Sequence, residues 1–368
     1  MVTVQHSQEQ DAPEVATFVQ GLIEDAAELR LPELFTGEHP EALYYQPDRN
    51  GVGVIALPTT ALSEDQFIAI MKYRLAQYLA VNFVDARMVH EARMAHEPLS
   101  GVGPEDVHVI AGSAASGEIL CYLTLMADEA SPGGTTLRER DRPLLPVEKA
   151  HGWGVYNRLR VLPDLPMAKL REIGRFVKNQ RLPHCDELGV RAPMEILVAV
   201  CRLLTGALRP DVEAIVGDLE EDVVKRNLDF FHVPLVVVHG TVAYAAETSY
   251  KHSMYLRRNS YPFAFLVSDL SPTLARTEAI ELALALPGRR AVAALLALRR
   301  DMPHSTSSLE PPEGLAPLTT VDLPERQAAM AVRRQLLEVG ERLRATDLLS
   351  SLPGHRLVCA PSGKCPDH

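Results

Sequence analysis

Apolar residues recur at helical or strand spacing along most of the chain and predict alternating helices and strands. Val15–Leu29 has helical spacing, and Gly51–Leu57 is a short apolar run typical of a strand. Ser63–Gln66 has the sequence of a capping box, which predicts the start of a helix. The apolar stripe within residues 67–79 continues that helix.

A hairpin and a series of further elements follow. Val107–Ala111 and Glu118–Met126 are β-rich runs joined by a small loop bounded by glycines, which predicts an antiparallel pair. Residues 127–146 are rich in Pro, Gly, Arg and Asp and predict a loop, with a short ordered piece at 146–150. The remaining pattern predicts strands at 171–178, 212–216, 235–239 and 261–267, and helices at 193–204 and 220–231.

The pattern predicts three parts of the chain. Residues 1–50 form a polar lead-in with one or two helices, and residues 51–270 form an organised α/β domain. Residues 271–368 are rich in Ala and Leu and predict a helical C-terminal extension. The predicted helices of this extension are at 273–286, 290–300 and 324–345, with a linker around 303–320.

Composition and charge exclude some classes of protein. The net charge of −11 over 368 residues argues against general nucleic-acid binding, because a phosphate backbone would be repelled. No uninterrupted apolar run reaches the ~18 residues of a membrane span, and the polar, acidic N-terminus does not resemble a secretory signal. We therefore expect a cytoplasmic protein. Five cysteines, an odd number, suit reduced thiols, and the Cys and His residues of the tail fit no zinc spacing.

Three motifs carry a resemblance to a known family. Leu145–Glu148 reads Leu-Pro-Val-Glu, and Glu172–Val177 reads Glu-Ile-Gly-Arg-Phe-Val. Lys225–Gly240 reads as a helix, a turn and a strand that ends in Gly. Together they resemble the N-acyl amino acid synthases and acyl-homoserine-lactone synthases of the GNAT superfamily, over roughly residues 50–268. The resemblance implies a mixed α/β sheet with a GNAT-like acyltransferase fold.

The resemblance also implies an activity and a site. In that family an acyl thioester, on acyl carrier protein or coenzyme A, lies in a V-shaped gap between two splayed strands and is attacked by an amine. Glu172 would then orient or deprotonate the amine, and Arg175 would hold a carboxylate of the acceptor or pair with Glu172. The implied substrate-binding residues are Phe176, Val177, Lys178, Asn179 and Arg181, with Trp153 lining a pocket.

Each of these residues also has a structural interpretation. Glu172 and Arg175, three apart on a strand, would point to opposite faces and form separate ion pairs. Trp153 would merely anchor a loop, and Cys185 fits an ordinary thiol better than a nucleophile because no partner pattern accompanies it.

Two departures from the family pattern affect the expected substrates. The segment 180–193 has one Gly and two acidic residues where a coenzyme A pyrophosphate loop would be Gly-rich, which favours a carrier-protein donor. Residues 89–97 do not match the segment that receives S-adenosylmethionine, and their His and Glu residues read as a solvated helix face rather than a metal site. Residues 138–191 hold 12 Lys/Arg against 7 Asp/Glu, so an acidic carrier protein would dock there unless these charges only solvate loops.

The sequence therefore predicts an N-acyltransferase without a metal or a tightly bound cofactor, acting on a small amine or amino acid. One alternative is a lyase, cyclase or alkyl transferase that uses S-adenosylmethionine on the same scaffold. Another is a non-catalytic protein that binds a carrier protein or metabolite, with a possible homodimer through the C-terminal helices. An apolar acyl tunnel would favour the first, and a small polar pocket would favour the second.

Overall fold

The computed structural model describes residues 12–300, except 129–130, 132–133, 184–185, 221–224, 242, 245–248 and 252–259. Its strands are β1 Tyr44–Arg49, β2 Val52–Pro58, β3 Val107–Ser113, β4 Ile119–Ala127, β5 Leu170–Lys178, β6 Ala214–Glu220, β7 Val236–Val237 and β8 Ser260–Leu266. Its helices are α1 Ala12–Ala27, α2 Glu64–Ala80, α3 Ala86–Glu91, α4 Pro146–His151, α5 Glu187–Thr205, α6 Arg226–Phe230, α7 Ser271–Leu284 and α8 Arg289–Arg300.

The described strands form one mixed sheet in the order β1-β2-β3-β4-β5-β6-β8-β7. Every adjacent pair is antiparallel except β5 and β6, which are parallel and connected through α5. The last of the described strands, β8, lies between β6 and β7. The predicted α/β class with a mixed sheet is confirmed by this arrangement.

The parallel pair separates after a short contact. Leu170–Ile173 of β5 pairs with Ala214–Gly217 of β6. Beyond this point β5 continues against β4, and β6 continues against β8. In the described residues the two strands therefore part after Gly217, which leaves a gap in the sheet between them.

Helices and loops cover both faces of the sheet, so the strands are buried and apolar. On one face α5 packs across β2, β3 and β4, and α7 and α8 pack on α5. On the other face α2 and the segments packed with it cover β2 to β5, and α4 with the loops around it covers β5 to β8. Polar side chains lie on this second face, in the region where the elements around α2 meet those around α4.

Most predicted elements are present, with some changes of extent. The capping box is formed, since the Ser63 hydroxyl accepts from Gln66 N and the Gln66 side chain accepts from Ser63 N. Strand β1 was not predicted, because its sequence Tyr-Tyr-Gln-Pro-Asp-Arg is mostly polar. The predicted strand at 235–239 is only Val236–Val237. Of the predicted helix at 220–231, the described residues include α6, and Glu220 belongs to β6 instead.

The predicted helices at 273–286 and 290–300 correspond to α7 and α8. The predicted helix at 324–345, Cys185 and the tail cysteines lie outside the described residues, and the domain boundaries stay predictions. Among the helices described, none combines the length and apolar character needed to cross a membrane.

Candidate active site

A β-bulge in β5 determines where Arg175 points. Tyr122 pairs with Val177 and Thr124 with Gly174, so β5 has one residue more than β4 over this stretch. Arg175 lies in the bulge with φ of 57°, in the left-handed region. The extra residue places its side chain on the face of Thr124 and Met126.

Glu172 lies on that same face, because it is directly opposite Met126 in the β4–β5 register. The structural interpretation that placed Glu172 and Arg175 on opposite faces is therefore wrong. Simple alternation along a strand does not hold across a bulge, and the sequence gives no reliable signal for one.

A polar cavity of about 190 Å³ opens beside the bulge. Its wall comes from α2, the segment after α3, the strands β3, β4 and β5, and the pair Tyr250 and Lys251. The lining residues are Arg74, Glu97, Pro98, Ser100, Gly101, Val102, Asp106, His108, Thr124, Met126, Arg175, Tyr250 and Lys251. Cationic, anionic and hydrogen-bonding groups thus meet around one cavity.

Glu97 is the centre of the charge network in this cavity. It forms an ion pair with Arg74, lies 3.1 Å from Lys251 Nζ, and accepts a hydrogen bond of 3.1 Å from the Tyr250 hydroxyl. Burial would raise the pKa of Glu97, but Arg74, Lys251 and Arg175 together lower it to about 2. Glu97 is therefore a buried carboxylate that stays ionised at neutral pH.

The prediction of a solvated helix face was wrong for Glu97. Helix α3 ends at Glu91, and Glu97 follows in a loop with 1% of its surface exposed. Its partners Arg74 and Lys251 are far away along the chain, so no local pattern in the sequence could have found this cluster. Within the described part of the chain, no group of His, Cys, Asp and Glu side chains could hold a metal ion.

Arg175 contributes free donors to the cavity. Its guanidinium makes no hydrogen bond or ion pair with another residue in the described ranges, although Glu97 and Glu172 are close enough to favour its charged form. A planar guanidinium with unused donors can bind a carboxylate through two hydrogen bonds.

Glu172 lies under α4, outside the set of residues that line the cavity. Val147 N donates a 3.0 Å hydrogen bond to its Oε1, and its Oε2 is buried without a partner. Burial raises the pKa of Glu172 to about 8, although the Val147 bond and Arg175 act in the opposite direction. The carboxyl is thus mostly protonated at pH 7.

The two sequence motifs around Glu148 and Glu172 meet in space. Glu148 holds Arg142 through two hydrogen bonds of 2.6 and 2.7 Å, with both side chains buried. This pair fixes the first turn of α4, from which Val147 N reaches Glu172. Glu148 therefore positions the backbone that binds Glu172.

His151, which sequence reasoning missed, lies in a buried polar group beside Glu172. Its Nε2 is 3.3 Å from Asp218 Oδ1 and 3.4 Å from Ser260 Oγ, and its Nδ1 is 3.0 Å from Thr241 Oγ1. Asp218 contributes to the raised pKa of Glu172.

The other predicted substrate-binding residues are spread along β5 and beyond. Phe176 packs into the core on the α5 face, and Val177 is buried on the opposite face. Lys178 is half-buried, and burial lowers its pKa. Asn179 is tied to β4 by hydrogen bonds from its amide to Glu118 and Ile119, and Arg181 is exposed.

Trp153 does not line the polar cavity. Its ring is half-buried and lies beneath the guanidinium of Arg140, whose Cζ is 4.9 Å from the ring centroid. This contact fits the interpretation of Trp153 as a loop anchor.

Comparisons with known proteins give similarity at the level of solved structures. No family model matches the chain, and no curated protein matches it significantly. The solved structures include FeeM, an N-acyl amino acid synthase from uncultured soil microbes (14% identity, TM-score 0.35, covering 61% of this chain and 97% of FeeM).

A second is the CoA-dependent acyl-homoserine lactone synthase BjaI with SAM and isopentyl-CoA (11% identity, TM-score 0.38, covering 66% and 97%). A third is an acyl-CoA N-acyltransferase from Pseudomonas aeruginosa (13% identity, TM-score 0.30, covering 58% and 99%). At this level of similarity, neither a family nor a substrate is assigned to the chain.

Proposed function

We propose that the protein is an N-acyltransferase that moves an acyl group from a thioester donor to an amine that carries a carboxylate, such as an amino acid. One observation carries the proposal: Arg175 places unused guanidinium donors in a polar cavity beside the bulge of β5, next to the point where β5 and β6 separate. In this proposal the extended acyl-thioester donor binds in the gap between β5 and β6, and the charged amine acceptor binds in the polar cavity.

The free edge of β5 supports binding of the donor. Residues 174–178 pair with β4 on one side, and in the described chain they have no strand partner on the side of β6. Backbone N–H and C=O groups on an unpaired edge can bind an extended molecule with amide groups, as the pantetheine arm of a thioester has.

The N-terminus of α5 favours a carrier-protein donor over free coenzyme A. The Asp186 side chain accepts a hydrogen bond from Gly189 N, and Glu187 occupies the first turn, where it pairs with Arg191. A pyrophosphate at this helix end would meet two carboxylates in place of free N–H groups.

A small apolar cavity on the α5 side of the gap limits the acyl group. It is lined by Ile173, Leu197, Val200, Cys201, Leu204, Leu228, Phe231, Val233, Phe265 and Leu270. Its volume of about 10 Å³ is that of a single water molecule. Long acyl chains would have to displace these side chains, so we expect short acyl groups to be preferred.

The proposal is tested by incubating the purified full-length protein with short acyl groups, on acyl carrier protein and on coenzyme A, and a panel of amino acids. Mass spectrometry detects the N-acyl product, and a thiol assay measures release of the carrier thiol. We expect N-acyl amino acid formation with the carrier-protein donor and no product from amines that lack the carboxylate.

Arg175→Gln and Arg175→Lys should raise KM for the amino acid, because the bidentate contact is lost. Arg209→Gln is the matched control, since Arg209 is exposed and outside the cavity. If no donor and amine pair gives product, or if Arg175→Gln leaves KM unchanged, the proposal fails.

The polar cavity also favours a second candidate, a reaction that uses S-adenosylmethionine. About 190 Å³ with both signs of charge suits part of a zwitterionic metabolite. Titration calorimetry with S-adenosylmethionine tests it: binding that Arg175→Gln abolishes, without acyl transfer in the assay above, would support this candidate. We place either reaction in the cytoplasm, where the free thiols of Cys121 and Cys201 would stay reduced.

A further inference from the structure

We propose that Lys251 is the base that removes the proton from the attacking amine, an inference that rests on the acyl transfer proposed above. Acyl transfer to an amine needs the neutral amine, whereas an amino acid carries an ammonium group at neutral pH. A group that accepts this proton must lie in the same cavity as Arg175.

Elimination leaves few acceptors among the residues that line the cavity. Arg74 and Arg175 are permanently protonated, since a guanidinium does not lose its proton in proteins. Glu97, with its pKa near 2, is a very weak base. Glu172 does not line the cavity.

Both ring nitrogens of His108 already have hydrogen-bond partners. Its Nε2 is 2.9 Å from Thr59 Oγ1 and its Nδ1 is 2.7 Å from the Tyr122 hydroxyl. Thr59 donates its hydroxyl proton to Gly103 O at 2.7 Å, so it accepts from Nε2–H, and Tyr122 donates to Nδ1. Burial, and then Arg74, lower the pKa of His108 to about 3, which agrees with a neutral ring whose acceptor nitrogen is in use.

Both carboxylate oxygens of Asp106 accept hydrogen bonds from backbone N–H groups. Its Oδ1 accepts from Ala127 N at 2.7 Å, and its Oδ2 accepts from Gly103 N at 3.1 Å. Both carboxylate oxygens hold the loop and strand that form the cavity wall. Asp106 therefore positions the wall.

Lys251 has the geometry of an acceptor. The Nζ of Lys251 lies 3.1 Å from Glu97 Oε1, and this contact holds the side-chain amine of the lysine in position. The Lys251 side chain is 19% exposed and still borders the cavity. Arg74 and Arg175 reach the same space from α2 and β5, and Tyr250 precedes it in the chain. Burial and the positive charge of Arg175 lower the pKa of Lys251 to about 7, although Glu97 acts in the opposite direction.

The step balances in protons and bonds. Neutral Lys251 Nζ accepts one proton from the acceptor ammonium, and the freed amine forms the N–C bond at the thioester carbonyl. The C–S bond breaks, and the thiolate takes the second proton of the amine nitrogen. Lys251 then releases its proton to water, so the products are an amide, a thiol and one proton.

Steady-state kinetics of Lys251→Gln and Lys251→Arg test the inference, with Lys72→Gln as the control because Lys72 is exposed on α2. Both Lys251 variants should lose about 100-fold or more in kcat/KM at pH 7.5. Lys251→Arg separates catalysis from folding, since arginine keeps the charge beside Glu97 and cannot act as a base.

The pH profile gives a readout that a structural role would not move. Wild-type kcat should rise through a pKa near 7, whereas kcat of Lys251→Gln should keep rising as the free amine fraction of the acceptor grows. Full activity of Lys251→Arg, or a wild-type profile without this pKa, overturns the role of Lys251 and leaves acyl transfer standing. A wild-type protein without any N-acyl product overturns both.

Discussion

The hydroxyl of Tyr156 lies 3.2 Å from both N and O of Gly217, the residue at which β5 and β6 part. It accepts from Gly217 N–H, and it also lies 3.2 Å from Phe263 O on β8. Tyr156 is fully buried under the α4 side of the sheet. The tyrosine thus supplies hydrogen bonds at the point where the parallel pairing ends.

Tyr156→Phe should destabilise the protein by about 1–3 kcal/mol, because Gly217 N–H is left buried without a partner. Urea unfolding followed by circular dichroism measures this loss. Equal stability of the Tyr156 variant and wild type would show that Gly217 does not depend on the hydroxyl.

Gly217→Ala should destabilise the junction of β5 and β6 by about 1–3 kcal/mol, or more if the strands cannot shift. A Cβ at this position would lie 2.7 Å from Ile173 O and 2.8 Å from Phe263 Cε1. Thermal unfolding measures the effect, with Gly21→Ala as a helix-surface control whose Cβ meets nothing within 4 Å. A Gly217 variant as stable as wild type would mean that the strands separate easily here.

The sheet and the strand at the centre of the candidate site could be predicted from local patterns. Short apolar and β-rich runs indicated most strands, and the motifs at 145–148 and 172–177 pointed to α4 and β5, which do contact each other through Val147 and Glu172. These signals are local because they reflect burial, capping and short-range backbone geometry.

The charged cavity could not be predicted in the same way. Arg74, Glu97 and Lys251 come from three distant segments, and each reads locally as an ordinary surface charge. The bulge at Arg175 is likewise a property of the paired strands rather than of β5 alone. Buried ion pairs and bulges depend on partners, so they became visible only when the fold placed the partners together.

Glu97→Gln should destabilise the protein by about 3–5 kcal/mol at pH 7, because the buried Arg74 guanidinium loses its carboxylate partner. The folded pKa of about 2 is below the unfolded value near 4.5, so the contribution of Glu97 is complete above pH 4.5 and is lost as pH falls towards 2. Denaturant unfolding of wild type and variant at pH 3 to 7 measures the difference. A difference that does not shrink with acid would contradict this account, and Glu91→Gln, at an exposed helix residue, is the control.

Glu172→Gln should change the pH dependence of stability in the opposite sense. The folded pKa of about 8 is above the unfolded value near 4.5, so the folded state holds a proton that the unfolded state loses between these values. Wild-type stability should therefore receive a contribution from Glu172 that is complete below pH 4.5 and is lost as pH rises through 8.

The glutamine variant keeps an oxygen to accept from Val147 N and cannot ionise, so it should gain stability relative to wild type as the pH rises from 5 to 8.5. Thermal or urea unfolding of both proteins across this range gives the difference directly. Glu148→Gln is the contrasting variant, since it breaks the buried pair with Arg142 and should destabilise the protein. A stability difference between Glu172→Gln and wild type that stays constant with pH would mean that Glu172 is ionised in the folded protein. Glu172 would then act as a base, and not as an acid, throughout the neutral range.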